Sequence, residues 1–185
     1  QYARSHNPTR TALENCLADL ENACYGLATS SGLAAASTVL NTLCSGDHVI
    51  CGEDVYGGVF RLFEQVYKRF GIEFTYVDAR DLDSIEKAIN ANTRLVWIES
   101  PTNPLLRLAD IKAIAEITEN HGLIFVVDNT FATPCLQRPL DLGADIVIHS
   151  TTKYISGHSD VVGGCVLTSN EELYEELKFN HNAVG

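Results

Sequence analysis

Lys153 is the side chain of this sequence best suited to covalent chemistry. It stands in Ser150-Thr151-Thr152-Lys153-Tyr154, among hydroxyl groups and shortly before Gly157. A lysine amine forms an imine with a carbonyl compound, particularly where burial lowers its pKa. The same residues also fit a Ser-x-x-Lys nucleophile, but the companion S-D-N and K-T-G motifs are absent from the sequence. A solvated loop lysine is the remaining alternative.

Asp128 is a carboxylate that directly follows the apolar run 124–127 (IFVV). A carboxylate at the end of a buried strand requires a partner. A metal ion is such a partner in nucleotide hydrolases, but the sequence has no G-x-x-x-x-G-K-[ST] loop to accompany it. The protonated ring nitrogen of a heterocyclic cofactor is the other natural partner.

Three further segments offer groups that bind a flat, anionic ligand. Ser31-Gly32-Leu33 opens a predicted helix, whose free amides and dipole favour a phosphate, although Ser31 alone also fits a plain N-cap. Tyr56 precedes two glycines and is either a stacking ring or a surface tyrosine in a turn. Asn103 lies between two prolines, which hold its amide in a stiff loop or a turn.

The apolar pattern places these residues on alternating strands and helices. Strands are predicted at 25–28, 48–51, 73–77, 95–98, 123–127, 145–149 and 164–167, and helices at 10–21, 33–44, 60–70, 81–89, 109–121 and 171–179. Several strands are continuous apolar runs, which indicates an α/β fold of three α/β/α layers around a mostly parallel, seven-stranded sheet.

Ligands in such sheets bind beyond the carboxyl ends of the strands. Each candidate follows a predicted strand: Ser31, Tyr56, Asn103, Asp128 and Lys153. An anion cradle, a stacking ring, a buried carboxylate and a lysine at one sheet edge together describe a pyridoxal phosphate pocket.

Composition and charge narrow the classes of protein further. The chain has 185 residues, with 13 Lys and Arg against 24 Asp and Glu, and a net charge of -11. This charge argues against a nucleic-acid contact, and the lack of an apolar run of about 18 residues or a basic leader predicts neither membrane insertion nor secretion. The cysteines form no C-x-x-C pair, and we interpret all of them as reduced core thiols of a cytoplasmic protein: Cys16, Cys24, Cys44, Cys51, Cys135 and Cys165.

These motifs resemble those of the Cys/Met-metabolism family of pyridoxal-phosphate enzymes, which have the aspartate-aminotransferase-like fold (fold type I). The resemblance covers essentially the whole chain. It rests on YARSHNPTR (2–10), SGLAA (31–35), DVYGG (54–58), ESPTNP (99–104), VDNTF (127–131), STTKY (150–154) and GHSD (157–160).

The resemblance implies a role for each matched residue. Lys153 binds the cofactor covalently and moves protons, Asp128 pairs with the ring nitrogen, and Tyr56 stacks on the ring and helps to deprotonate the incoming amine. The phosphate is held by Ser31, Gly32, Leu33, Ser150 and Thr152, while Thr130 and Asn103 line the ring. Tyr2 and Arg4 reach the phosphate of a neighbouring subunit, and Arg61 lies on the substrate side with Tyr56 and Asn103.

The resemblance also implies an activity and an assembly. The activity is trans-sulfuration of sulfur amino acids, foremost that of a cystathionine γ-lyase, with γ-synthase and β-lyase as alternatives. The expected assembly is a dimer with shared active sites inside a homotetramer, without nucleic-acid or membrane partners. Residues 1–185 correspond to the family's cofactor-binding large domain, without its amino-terminal arm and carboxyl-terminal domain. A hypothesis of another class is an inert piece that acts only as an oligomerisation partner.

Overall fold

A computed structural model describes residues 2–184, so Gln1 and Gly185, the ends of the predicted domain 1–185, lie outside the described residues. The chain forms one seven-stranded sheet in the order β1-β7-β6-β5-β4-β2-β3. The strands are β1 (Tyr25–Thr29), β2 (His48–Gly52), β3 (Glu73–Val77), β4 (Thr93–Glu99), β5 (Ile124–Asp128), β6 (Ile146–His149) and β7 (Gly164–Thr168).

The sheet is parallel from β3 through β2, β4 and β5 to β6, whereas β7 pairs antiparallel with both of its neighbours. This arrangement confirms the predicted mostly parallel, seven-stranded α/β fold. In the register, Glu99 faces Asp128 and Asp128 faces Ile148. The carboxyl ends of β4, β5 and β6 are therefore level, and the loops that follow them meet at one edge.

Helices cover both faces of the sheet, which confirms the three layers. They are α1 (Pro8–Glu21), α2 (Gly32–Leu40), α3 (Gly57–Gln65), α4 (Leu82–Ala88), α5 (Ile111–His121), α6 (Thr133–Leu136) and α7 (Glu171–Val184). Residues of α2, α3 and α7 pack with Trp97 and Val126 on one face, whereas α4 and α5 pack with Val96, Ile98 and Val127 on the other. Alternate residues of a strand point to opposite faces, so strands buried on both sides are apolar throughout.

The segment predicted as a single helix over 60–70 forms two elements. α3 begins earlier, at the glycine pair, and a 3₁₀ turn (Tyr67–Phe70) follows it after Val66. Three residues per turn rotate the side chains away from the face of an α-helix. Phe63 and Tyr67 are therefore buried, whereas Val66 and Phe70 are exposed.

The prediction that all the cysteines are core thiols is wrong for four of them. Only Cys51 and Cys165, in β2 and β7, are buried, and none of the six forms a disulfide. The other four lie on helix surfaces or in turns, where apolar sequence neighbours do not imply burial: Cys16, Cys24, Cys44 and Cys135. Within residues 2–184, no helix combines the length and the apolar character needed to cross a membrane.

Candidate active site

A cavity of about 250 Å³ lies at the carboxyl ends of the parallel strands. Its lining includes ten of the residues predicted to bind the cofactor: Ser31, Gly32, Leu33, Tyr56, Asn103, Asp128, Thr130, Ser150, Thr152 and Lys153. They come from five separate stretches of sequence. The structure thus brings together residues that the sequence could only assign to one edge of a sheet.

The amino terminus of α2 forms one end of the cavity. Ser31 is the N-cap, and its Oγ accepts a hydrogen bond from the Ala34 amide at 3.0 Å. The cap interpretation is therefore correct. Gly32 and Leu33 also line the cavity, and their amides, like the first amides of any helix, have no partner inside it. A Cβ on Gly32 would lie 2.7 Å from the Ser150 Cβ. Glycine is thus required for this close approach.

Ser150 and Thr130 connect this end of the cavity to Asp128. The Ser150 amide donates to the Thr130 Oγ1 at 2.9 Å, and that hydroxyl donates to the Asp128 Oδ1 at 2.5 Å. The Thr130 amide donates to the same oxygen at 3.0 Å. Burial raises the pKa of Asp128, and the two hydrogen bonds from Thr130 oppose that rise. A buried acid supported in this way is suited to a cationic ring nitrogen.

Thr152 holds the loop after β6. Its Oγ1 donates to the Gly163 carbonyl at 3.1 Å and accepts from the Gly163 amide at 3.0 Å. Gly163 directly precedes β7, so the hydroxyl ties the lysine-bearing loop to the sheet. Because that proton is already donated, Thr152 offers an incoming anion less than the sequence suggested.

Lys153 and Tyr56 lie at the open side of the cavity. Lys153 follows in a turn in which its amide donates to the Ser150 carbonyl at 3.2 Å, and its side chain is exposed. Tyr56 is the N-cap of α3 and is 44% exposed. An accessible amine and an accessible ring face can both meet a ligand that enters from solvent.

Glu99 also lines the cavity, together with Val59, Phe131 and Val162, and sequence reasoning did not assign it a role. The sequence did contain a signal for this residue, because Glu99 directly follows a predicted apolar strand, as Asp128 does. Its carboxyl group is buried and its Oε2 accepts a hydrogen bond from the Tyr56 amide at 2.8 Å.

Three predicted site residues lie outside this cavity lining. Arg4 donates from Nη1 to the Asn182 carbonyl at 2.6 Å, next to α7, and Tyr2 is 71% exposed. Arg61 belongs to α3 but is absent from the lining. The contacts predicted for Tyr2 and Arg4 are with a neighbouring subunit, so these roles stay predictions.

The donor set fits pyridoxal phosphate. A helix amino terminus with serine hydroxyls suits the phosphate, Asp128 suits the ring nitrogen, and Lys153 suits the aldehyde. The absence of a side chain at Gly32 lets the amino terminus of α2 lie close to Ser150, so that both ends of the phosphate donor set are together.

Comparison with known proteins agrees with this geometry. The family model of Cys/Met metabolism PLP-dependent enzymes matches residues 1–185. A probable cystathionine gamma-synthase of Herpetosiphon aurantiacus is 57% identical over 185 residues, and a cystathionine gamma-lyase of Dictyostelium discoideum is 55% identical over 184 residues. All of this chain is covered in both, against 58% and 48% of those relatives. The chain therefore spans about half the length of the curated relatives it matches.

A solved structure confirms the fold. The crystal structure of a cystathionine gamma-lyase from Lactobacillus plantarum, complexed with L-serine, matches with a TM-score of 0.98 at 50% identity. The match covers 100% of this chain and 48% of that one. The fold is thus that of the predicted fold type I, and the chain belongs to the Cys/Met metabolism family of PLP-dependent enzymes.

Proposed function

We propose that this chain is the cofactor-binding part of a pyridoxal-phosphate enzyme that acts on sulfur amino acids. The observation that carries the proposal is the single cavity in which Lys153, Asp128, Tyr56 and the amino terminus of α2 converge. The family membership gives the cofactor, and the donor set of this chain fits it.

Each group has a distinct task in this proposal. The amides of Gly32 and Leu33 and the Ser31 and Ser150 hydroxyls bind the phosphate, and Tyr56 packs against the ring face. Bound pyridoxal phosphate supplies a ring that withdraws electrons from the α-carbon of an amino acid. The Asp128 carboxylate holds a proton on the ring nitrogen, and Lys153 binds the aldehyde carbon and later carries protons at its Nζ.

For the finer activity we propose cystathionine γ-lyase, which converts cystathionine and water to cysteine, 2-oxobutanoate and ammonia. Proton transfer by Lys153 at the α- and β-carbons of the substrate would permit loss of the γ-substituent. The 55% identical γ-lyase relative supports this activity. The 57% identical relative described as a probable γ-synthase supports γ-replacement as the second candidate. A cystathionine β-lyase of Coxiella burnetii, which is 52% identical, keeps β-elimination as a further alternative.

We further propose a cytoplasmic dimer with shared sites, within a homotetramer. In this assembly Tyr2 and Arg4, which lie outside the cavity of their own chain, are proposed to reach the cavity of a neighbouring one. Arg61, on α3 beside the cavity, is proposed to face the substrate.

The proposal is tested by trapping the cofactor. The protein is mixed with pyridoxal phosphate and reduced with borohydride, and its peptides are analysed by mass spectrometry. We expect the cofactor mass on Lys153 and its loss in Lys153→Ala. Lys112→Ala is the matched control, because Lys112 is an exposed lysine on α5. An adduct that persists at the same level in Lys153→Ala would refute the assignment.

The two finer activities are separated by product analysis with cystathionine. Release of 2-oxobutanoate supports the γ-lyase. Formation of cystathionine from cysteine and an activated homoserine, without 2-oxobutanoate release from cystathionine, supports the γ-synthase instead.

A further inference from the structure

Glu99 ties together two segments that line the cavity. Its Oε2 accepts a hydrogen bond from the Tyr56 amide at 2.8 Å, and the Asn103 amide lies near enough to lower the pKa of the same carboxyl group. Tyr56 begins α3 without a side-chain cap of its own. A single side chain at the end of β4 therefore holds the backbone of Tyr56 and lies beside that of Asn103.

The surroundings of Glu99 disfavour a second negative charge. Glu99 is 4% exposed, and its register partner on the neighbouring strand is Asp128, which is 8% exposed. Two buried carboxyl groups at adjacent strand ends cannot both ionise without a large cost. Burial and the nearby Asp128 raise the pKa of Glu99 to about 8, and Asp54 acts in the same direction.

The cations on this side of the molecule are already paired with other acids. A small cavity on the other side of Glu99 is also lined by Arg80 and Arg107. Arg80 Nη2 lies 2.6 Å from Asp78 Oδ2, and Arg107 Nη1 lies 2.9 Å from Glu53 Oε1. Among the described residues, no Lys, Arg or His nitrogen lies within 4.0 Å of the Glu99 carboxylate.

Three other titratable groups belong to segments around Glu99. The Cys51 thiol on β2 has its pKa raised by burial and by Glu99, so it is uncharged at neutral pH. Lys153 and the Tyr56 ring share the large cavity with Glu99. Of the two buried carboxyl groups, Asp128 has the better support for its charge, because it accepts two hydrogen bonds from Thr130, whereas Glu99 accepts one, from the Tyr56 amide.

We propose that Glu99 is a positioning residue that acts as an uncharged hydrogen-bond acceptor for the Tyr56 and Asn103 amides and leaves Asp128 as the one carboxylate beneath the cofactor ring. The part of this inference that concerns the ring rests on the proposed function. The protonated carboxyl group keeps Tyr56 and Asn103 in place without competing with Asp128 for the ring nitrogen.

The charge state is measured without the cofactor. In protein labelled with ¹³C at the glutamate side-chain carboxyl, the Glu99 resonance is assigned by its absence from Glu99→Gln. We expect a protonated chemical shift at pH 7 and a transition near pH 8. A resonance that is already that of a carboxylate at pH 6 overturns the proposal.

The positioning role is measured with two variants. Glutamine is uncharged and keeps a carbonyl acceptor, so Glu99→Gln should bind pyridoxal phosphate at pH 7 within about threefold of the wild type and keep slow exchange of the Tyr56 and Asn103 amide hydrogens. Glu99→Ala removes the acceptor, so both amides should exchange faster and cofactor binding should weaken about tenfold, the loss expected for about 1.4 kcal/mol.

The outcomes separate this role from the proposed function. A Glu99→Gln variant that binds the cofactor as weakly as Glu99→Ala overturns the role, because the charge would then be required. A wild-type protein that forms no adduct at Lys153 overturns the proposed function and the ring-directed role together. In that case the carboxyl resonance and the amide exchange still decide whether Glu99 is an uncharged acceptor.

Discussion

Replacing Gly32 by alanine tests the close contact on which the phosphate end of the cavity depends. The new Cβ would lie 2.7 Å from the Ser150 Cβ and 3.0 Å from its Cα. Carbon atoms in favourable contact are about 3.5–4.0 Å apart, so α2 and the loop after β6 must separate by roughly 1 Å. Overpacking of this kind costs about 1–3 kcal/mol.

Gly57 provides a matched control, because both glycines are the first residue of a nine-residue helix. A Cβ on Gly57 would contact only the Arg61 Nη1, at 3.7 Å. Replacing glycine by alanine without strain stabilises a protein by about 0.4–1 kcal/mol, because it restricts the unfolded chain. Gly57→Ala should gain that amount, while the same gain in Gly32→Ala is outweighed and leaves a loss of about 1–2 kcal/mol.

The two variants are compared by their Tm in thermal unfolding and by their affinity for pyridoxal phosphate in a titration. One kcal/mol corresponds to about 2–4 °C in a domain of this size, so Tm should fall by about 2–8 °C in Gly32→Ala and rise by about 1–4 °C in Gly57→Ala. Displacement of Ser150 and the α2 amides should also weaken pyridoxal phosphate binding at least tenfold, as one hydrogen bond to a charged group contributes about 1.5–3 kcal/mol. If Gly32→Ala is as stable as Gly57→Ala and binds the cofactor equally well, the reasoning from the close contact at Gly32 is wrong.

Two further substitutions and one labelling experiment test contacts elsewhere in the fold. Glu21→Ala should lower the free energy of unfolding by about 1–3 kcal/mol in urea, since it leaves the His149 Nε2 buried without its hydrogen-bond partner, and an unchanged free energy of unfolding contradicts this pair. Asn7→Ala should cost about 1 kcal/mol in the same assay, because the Asn7 side chain caps α1, and an unchanged midpoint refutes the cap. Burial raises the pKa of the Cys51 and Cys165 thiols, so alkylation of the native protein, followed by peptide mass spectrometry, should spare both; their rapid labelling argues against burial. The exposed thiols are the internal control: Cys16, Cys24, Cys44 and Cys135.

The sheet and the position of the site were predictable from the sequence. The stretches 95–98 of β4 and 124–127 of β5 are continuous apolar runs because helices cover both faces, and such runs can be recognised in the sequence. Since parallel strands end at the same edge, the polar residues that follow them converge. Asp128, Lys153 and the amino terminus of α2 accordingly line one cavity.

The remaining features depend on contacts between distant parts of the chain. The apolar periodicity of the sequence could not show that α3 ends before Val66, because local backbone angles decide where the 3₁₀ turn begins. Nor could it show that the Thr152 hydroxyl is hydrogen-bonded to the Gly163 backbone, since only the antiparallel return of β7 brings the two residues together. The position of Glu99 after an apolar run could have been noticed in the sequence, but its contact with the Tyr56 amide depends on the fold.

The candidate site also depends on a buried cluster behind it. Glu21, the last residue of α1, has an Oε1 that accepts a hydrogen bond from Asn129 Nδ2 at 2.7 Å and lies 2.6 Å from His149 Nε2. Asn129 directly follows Asp128, and His149 directly precedes Ser150. One carboxyl group on α1 thus connects the strand ends that carry the proposed ring partner, Asp128, and the proposed phosphate donor, Ser150. Because all three side chains are fully buried, a change at Glu21 should disturb Asp128 and Ser150 together, although Glu21 itself lines no part of the cavity.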